Sequence, residues 1–268
     1  MLYHALAEPH SGVDVEQVVC TMRGAVDAAA LRAAWEKVFA RHPALRTAFD
    51  VGAALTQAVA ESCELPFAEQ DFSALPAEER EERWTAELRE DRRRGFDLNV
   101  APLLRVSLFE FGPDEHRMLW TFHHAILDGR ALTTVLREVF AILDGTDLPP
   151  TPRPFHEHAA WLSGRDPAAS ESYWKAQLAG FLAPTPVVVD HLAPGDTAAL
   201  QADSDLHLAP TVAAALRDLA AAGEFTLNNI VQGAWSLLLS RYSGEADIVF
   251  GATRACRHAS VAGSEAGW

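Results

Sequence analysis

Two histidines, an aspartate and a glycine stand close together in Met118-Leu119-Trp120-Thr121-Phe122-His123-His124-Ala125-Ile126-Leu127-Asp128-Gly129. Imidazole is the side chain that exchanges a proton near neutral pH, which makes such a cluster a candidate for acid–base work. Side chains alternate across a strand, so His124 shares a face with Met118, Trp120 and Phe122 while His123 points the other way. His124 is therefore expected at a strand end, on a largely apolar face where little water competes for its proton-accepting nitrogen. There it takes a proton from, or orients, an attacking amine or hydroxyl. Asp128 either pairs with His124 or anchors the turn through a cation, and Gly129 lets the backbone approach a ligand or take positive φ. Spacing alone leaves a plainer alternative open, one histidine packed in a core and Asp128 capping the next helix. Neighbouring histidines diverge on a strand and no Cys or Glu completes a shell, so no metal centre is expected.

These residues need a strand before them and a helix after them. Arg117 to His123 reads as the second strand of a hairpin with Leu103 to Glu110, joined through Gly112-Pro113-Asp114-Glu115, and a helix follows over about Ala131 to Leu143. Upstream, the alternation from Val13 to Thr21 predicts a strand. Asp27 then caps a helix that buries Leu31, Trp35, Val38 and Phe39 at helical spacing. Pro43 stops that helix and a short extended segment runs to Phe49. A charged helix spans about Pro76 to Arg94, acidic early and basic late as the helix dipole favours. The stiff tract Leu148-Pro149-Pro150-Thr151-Pro152-Arg153-Pro154 connects subregions, followed by helices around Trp161 and Trp174. After a break at Ala183-Pro184-Thr185-Pro186, residues Leu206 to Phe250 read as strand, helix, helix, strand, with Thr226 as a cap. The class is α/β (α+β) in two lobes, residues 1–182 and 183–268.

Composition narrows the function classes. The 268 residues carry 22 Lys+Arg and 37 Asp+Glu, a net charge of −15, which works against nonspecific attraction to nucleic acid or anionic lipid. No window approaches the apolar run of a membrane span, and Met1 to Glu8 lack the basic start and apolar run expected of a signal peptide. Cys20, Cys63 and Cys256 are scattered and odd in number, against a disulfide framework, so a cytoplasmic setting is expected. No Gly-x-Ser-x-Gly elbow, P-loop or Gly-x-Gly-x-x-Gly occurs, and the serine hydrolase, NTPase and dinucleotide readings lack their marks.

His123-His124-Ala125-Ile126-Leu127-Asp128-Gly129 resembles the HHxxxDG signature of the condensation domains of nonribosomal peptide synthetases, within the chloramphenicol-acetyltransferase-like superfamily. Arg41-His42-Pro43-Ala44-Leu45-Arg46-Thr47-Ala48-Phe49 resembles that family's RHxxLRTxF segment, and Phe155-His156-Glu157-His158-Ala159-Ala160-Trp161 a diverged YxDYxxW segment. Met1-Leu2-Tyr3-His4 is similar to the first motif entered partway, and Gln232 to Gly251 to the helix and strand that begin the second lobe. The resemblance implies a V-shaped two-lobe sandwich with a tunnel reached by two phosphopantetheine arms, carried by donor and acceptor peptidyl carrier proteins. It implies amide bond formation between carrier-bound thioesters, with an adenylation domain in the same synthetase and no cofactor of the chain's own. By position His124 is the general base or positioner of the amine, and His123 and Asp128 are mainly structural. Asp128 is expected to pair with Arg257, and Gly129 to keep the donor side of the tunnel open.

The chain departs from the family pattern in three places. It starts inside the first motif and stops before the family's second lobe ends, so an incomplete domain, inactive by itself, is expected. Arg130-Ala131 stands where Trp-Ser is common, and Arg254-Ala255-Cys256-Arg257 where Val-Ser-Gly-Arg is usual. Rival readings are an epimerisation domain, a stand-alone acyltransferase, and a noncatalytic module that binds a carrier protein or recruits a tailoring enzyme. Trp35, Trp161, Trp174 and Trp235 are expected as packing anchors and Arg46 as a structural ion-pair partner. Arg92-Arg93-Arg94 is expected as a solvated helix end.

Overall fold

The computed structural model describes residues 7, 12–52, 56–151, 153–186 and 205–253. They fall into two compact units, one that runs to Arg165 and one that starts at Asp166. The first unit holds strands β1 (Val15–Arg23), β2 (Thr47–Asp50), β3 (Thr56–Val59), β4 (Phe67–Asp71), β5 (Leu104–Gly112) and β6 (Glu115–His123). Its helices are α1 (Ala28–Arg41), α2 (Ala77–Arg94), α3 (Gly129–Leu143) and α4 (Phe155–Ser163). Four strands make the main sheet in the order β1-β6-β5-β4, and β2 and β3 pair as a separate antiparallel ribbon. β6 runs antiparallel to both of its neighbours, while β4 lies parallel to β5. That parallel pair needs a crossover, and α2 supplies it as a βαβ unit.

Strand parity sorts the core into two layers. Leu104, Val106, Leu108, Met118, Trp120 and Phe122 face α1 and α3, where Leu31, Trp35, Val38, Val135 and Val139 complete the larger cluster. Trp35 meets Trp120 edge-on at 5.0 Å, and its indole N–H donates to Met118 Sδ at 3.2 Å. Phe109, Phe111 and Leu119, of opposite parity, pack with Phe72 and Trp84 of α2. Each such side chain, moved out of water, contributes about 1.5–3 kcal/mol. β6 therefore runs through the middle of the sheet with helices on both sides. Asp27 caps α1 as expected, its Oδ1 accepting from Ala30 N–H at 2.9 Å.

The second unit contains α5 (Ala168–Gln177), α6 (Pro210–Ala222) and α7 (Leu227–Ser243) among its described residues. Thr226 caps α7 in a reciprocal box with Asn229. The strands expected to flank this helix pair do not form: the segments before Pro210 and after Asp247 have no ladder partner among the described residues, and a lone extended segment is not a strand. The tryptophans divide for the same reason. Trp35 is fully buried, whereas Trp174 and Trp235 are 58% and 48% exposed, since no described sheet receives their helices.

Some elements differ in extent from what the sequence predicts. The first strand lies two residues later than its alternation suggests, and β3 and β4 carry no periodic signal long enough to mark them. α3 begins at Gly129, two residues early, because the Asp128 cap sets its first turn. Arg46 is structural, but through carbonyls: its guanidinium donates to Phe39 O at 3.0 Å, Ala40 O at 2.7 Å and Ala60 O at 3.2 Å, which closes the end of α1. Arg92 is likewise no solvated charge. It donates to Val15 O at 2.8 Å, while Arg93 pairs with Glu90 in solvent.

Candidate active site

The site lies where β6 runs out. β6 ends at His123, so His124 stands one residue beyond the strand and heads a turn into α3. Both backbones are pinned by neighbouring strand ends: His123 N–H donates to Leu103 O at 2.9 Å and His124 N–H to Asp14 O at 2.8 Å. Buried Ile126 and Leu127 anchor the turn in the larger core.

The two rings are held in opposite tautomers. His123 Nδ1 accepts from Ala125 N–H at 3.1 Å, and an amide only donates, so the neutral ring carries its proton on Nε2. His124 Nδ1 lies 2.7 Å from Leu127 O, and a carbonyl only accepts, so that nitrogen carries the proton. Neutral His124 thus presents the lone pair of Nε2, which has no hydrogen-bond partner among the described residues. A half-buried imidazole with one nitrogen held by the backbone and the other unused is arranged to receive a proton.

His123 is only 3% exposed, and burial pushes its pKa below the ordinary 6.5, with the Asp14 carboxylate opposing and His124 reinforcing the shift. Below pH 6.5 the unfolded chain takes up a proton that the folded chain refuses. The unfolded state then binds more protons, and stability falls as pH is lowered through that value. His123→Asn, which keeps an acceptor for Ala125 N–H, should flatten this acid limb. Melting temperatures from about pH 7.5 to about pH 5.5 check it, with a steeper fall expected in the wild type.

Asp128 caps α3, its Oδ1 accepting from Arg130 N–H at 3.1 Å and Ala131 N–H at 2.9 Å. Such a cap contributes about 1 kcal/mol and sets the angle at which the turn enters the helix. The Nδ1 proton of His124 goes to Leu127 O, so the turn holds this ring through its backbone. Gly129 occupies the first helical position without positive φ, and a Cβ built there meets nothing within 4 Å. A β-carbon there would therefore meet no neighbour, and the glycine relieves no strain. Arg257 lies outside the described residues, as does Cys256. Cys20 and Cys63 are half-buried free thiols, both pushed up in pKa by burial. Among the described residues no group of three or more His, Cys, Asp or Glu could hold a metal ion, and no helix is long and apolar enough to cross a membrane.

The segment around His42 packs against α3, the helix that follows the site's turn. His42 Nε2 donates to Glu138 Oε2 at 2.6 Å, Arg41 Nε lies 3.3 Å from the same oxygen, and both His42 and Glu138 are buried. This cluster ties the end of α1 to the middle of α3. Sequence reasoning misses Glu138, because a single glutamate on an amphipathic helix reads as solvated. Its place on the stripe of Ala131, Val135 and Val139 is the available signal.

Comparisons with known proteins agree with this architecture. Over 99% of the chain, residues are 35% identical to a stretch covering 4% of one of the linear gramicidin synthases of Brevibacillus parabrevis. Over 94% of the chain, identity is 37% to a stretch covering 6% of chondramide synthase cmdD from Chondromyces crocatus. The chain thus spans a small fraction of the curated relatives it matches. The solved starter condensation domain of rhizomide synthetase RzmA superposes with a TM-score of 0.68 at 21% identity, over 96% of this chain and 60% of that one, a likeness of fold. The chloramphenicol-acetyltransferase-like α/β fold class expected from the motifs is the one found. A family model described as the condensation domain matches residues 1–268, and the chain belongs to that family.

Proposed function

We propose that this chain contributes to amide bond formation in a nonribosomal peptide synthetase. The acceptor amine, held as a thioester on one carrier protein's phosphopantetheine arm, attacks the carbonyl of a donor thioester held on another. The new C–N bond forms as the C–S bond breaks. The amine proton leaves through His124 Nε2 and returns to the departing thiolate, so no proton or electron is left over. The observation that carries the reading is the tautomer of His124: Leu127 O holds the Nδ1 proton and leaves Nε2 as the acceptor.

The demand on the protein is modest. A thioester is already activated, so holding both arms in line supplies much of the acceleration and the proton acceptor a further ~10²–10⁴-fold. His123 and Asp128 serve by shaping the turn, and open space at Gly129 admits the donor. In this reading Asp128 also pairs with Arg257, and residues 1–182 and 183–268 belong to different lobes. The domain works with a carrier protein on each side and an adenylation domain that loads them, in the cytoplasm.

The test uses the full-length protein in which this sequence occurs, with carrier proteins loaded with donor and acceptor aminoacyl groups. Dipeptidyl thioester on the acceptor carrier, read by intact-protein mass spectrometry, is the expected result. A folded protein that forms none across several loaded pairs overturns the proposal in favour of epimerisation, another acyl acceptor or recruitment.

A further inference from the structure

One carboxylate inside the first unit serves no part of the turn just described. Asp91 lies on the last turns of charged α2, seven residues after Trp84 and on the same stripe, and is 3% exposed. Its Oδ1 accepts from Arg105 Nε at 2.5 Å, and its Oδ2 from Thr121 Oγ1 at 2.5 Å and Gln17 Nε2 at 3.0 Å. Those three donors sit on β5, β6 and β1. They are also direct cross-strand neighbours, Gln17 opposite Thr121 and Thr121 opposite Arg105. A single carboxylate thus grips one rung of the sheet across three strands.

Two residues further along, past the Glu16–Phe122–Leu104 rung, the strand ends carry the site. Val15 pairs with His123, Leu103 O takes the His123 N–H, and Asp14 O takes the His124 N–H. Arg92, the residue after Asp91, holds the other side of that rung by donating to Val15 O at 2.8 Å and to Gly12 O at 3.5 Å. These carbonyls flank Asp14. Gly12 has φ +68, and a Cβ there would come within 2.8 Å of Arg92 Cγ, so the segment leading into β1 is seated against this arginine. Two successive residues of α2 therefore brace the strands whose ends pin the histidines, Asp91 through Arg105 on β5 and Arg92 through the Gly12–Val15 segment.

We infer that Asp91 and Arg92 are positioning residues for His124, acting through the Thr121 rung and the Gly12–Val15 segment. The inference rests on the reading that His124 Nε2 handles the amine proton. A small shift of the β6 end moves the ring relative to Leu127 O and to both substrates, and displacements near 1 Å cost reaction rate steeply. A merely structural role would lower stability and leave the ring's own behaviour alone.

The test compares Asp91→Asn, Thr121→Val and Arg92→Met in the full-length protein, with Arg93→Met as the exposed control on the same turn. Carbethoxylation of His124 by diethyl pyrocarbonate is followed by peptide mass spectrometry across pH, with exposed His156 as internal reference. Thr121→Val removes one hydroxyl from the rung and keeps the buried Asp91–Arg105 pair, which guards against a variant that simply unfolds. The expected result is a displaced pH profile at His124 in all three variants, with dipeptide kcat lowered about tenfold and KM for the loaded carriers unchanged. Arg93→Met should alter neither. Folded Thr121→Val and Arg92→Met proteins with the wild-type profile at His124 overturn the inference. A wild type that makes no dipeptide overturns the proposed reaction instead, and the carbethoxylation profiles still decide the positioning role.

Discussion

His124→Ala should lower the rate of dipeptidyl thioester formation by about 10²-fold or more while leaving the melting temperature within about 2 °C of the wild type. The ring is half-buried and among the described residues makes one hydrogen bond, to Leu127 O, so its loss removes little packing. What disappears is the Nε2 lone pair. His124→Asn separates the two jobs of the ring, since its amide nitrogen can still donate to Leu127 O but offers no acceptor at the ε position. Equal losses in the alanine and asparagine variants assign the effect to proton acceptance. Retained activity in the asparagine variant assigns it to ordering the turn. Single-turnover rates with preloaded carriers are the measurement, because they isolate the bond-forming step from loading and release.

The largest expected stability effect belongs to Arg105→Met. Arg105 pairs with Asp91, donates to Asp91 O and Gly95 O, and lies 4.4 Å from the Phe96 ring, so it both neutralises a buried carboxylate and closes α2. Removing one partner of such a pair strands the other charge out of water, at a cost of about 3–5 kcal/mol. Urea unfolding should show the midpoint shift at nearly unchanged slope. Pairing Arg105→Met with Asp91→Leu should recover part of the loss, since the double variant leaves no charge unmatched.

The pH dependence of this pair has a definite sign. Burial opposes the charge on Asp91, yet hydrogen bonds from Arg105 and Thr121, the Arg105 charge and Gln17 together hold its carboxyl below the ordinary 3.8. The folded state therefore binds fewer protons there than the unfolded state. The contribution is fully present above about pH 4 and fades as pH falls through the depressed folded value.

The local elements were legible in the amino-acid order because local physics decides them. Leu31, Trp35, Val38 and Phe39 recur at helical spacing, Asp27 and Thr226 are caps, and Gly112 to Glu115 turns a hairpin. His123, His124, Asp128 and Gly129 were legible as a group because their short separation keeps them on one strand end and one helix start. The roles of those residues were open, and only the short-range hydrogen bonds of the folded turn separated them. Leu127 O and Ala125 N–H assign the tautomers, and the Asp128 cap joins turn to helix.

Long-range partners had no signature in the sequence. Asp91 sits among charged residues and looks solvated, yet its partners Thr121 and Gln17 are 30 and 74 positions away on other strands. Glu138 finds His42 across 96 positions. The crossover that sets β4 parallel to β5, the rung that Asp91 grips, and the carbonyls that hold both histidine backbones exist only once the sheet has formed. Periodicity and capping determined which segments became helices and strands. Which buried charges met was decided by packing, and which imidazole nitrogen kept its lone pair by the conformation of the turn between β6 and α3, because a hydrogen-bond partner is chosen by proximity in space and the folded backbone sets that proximity.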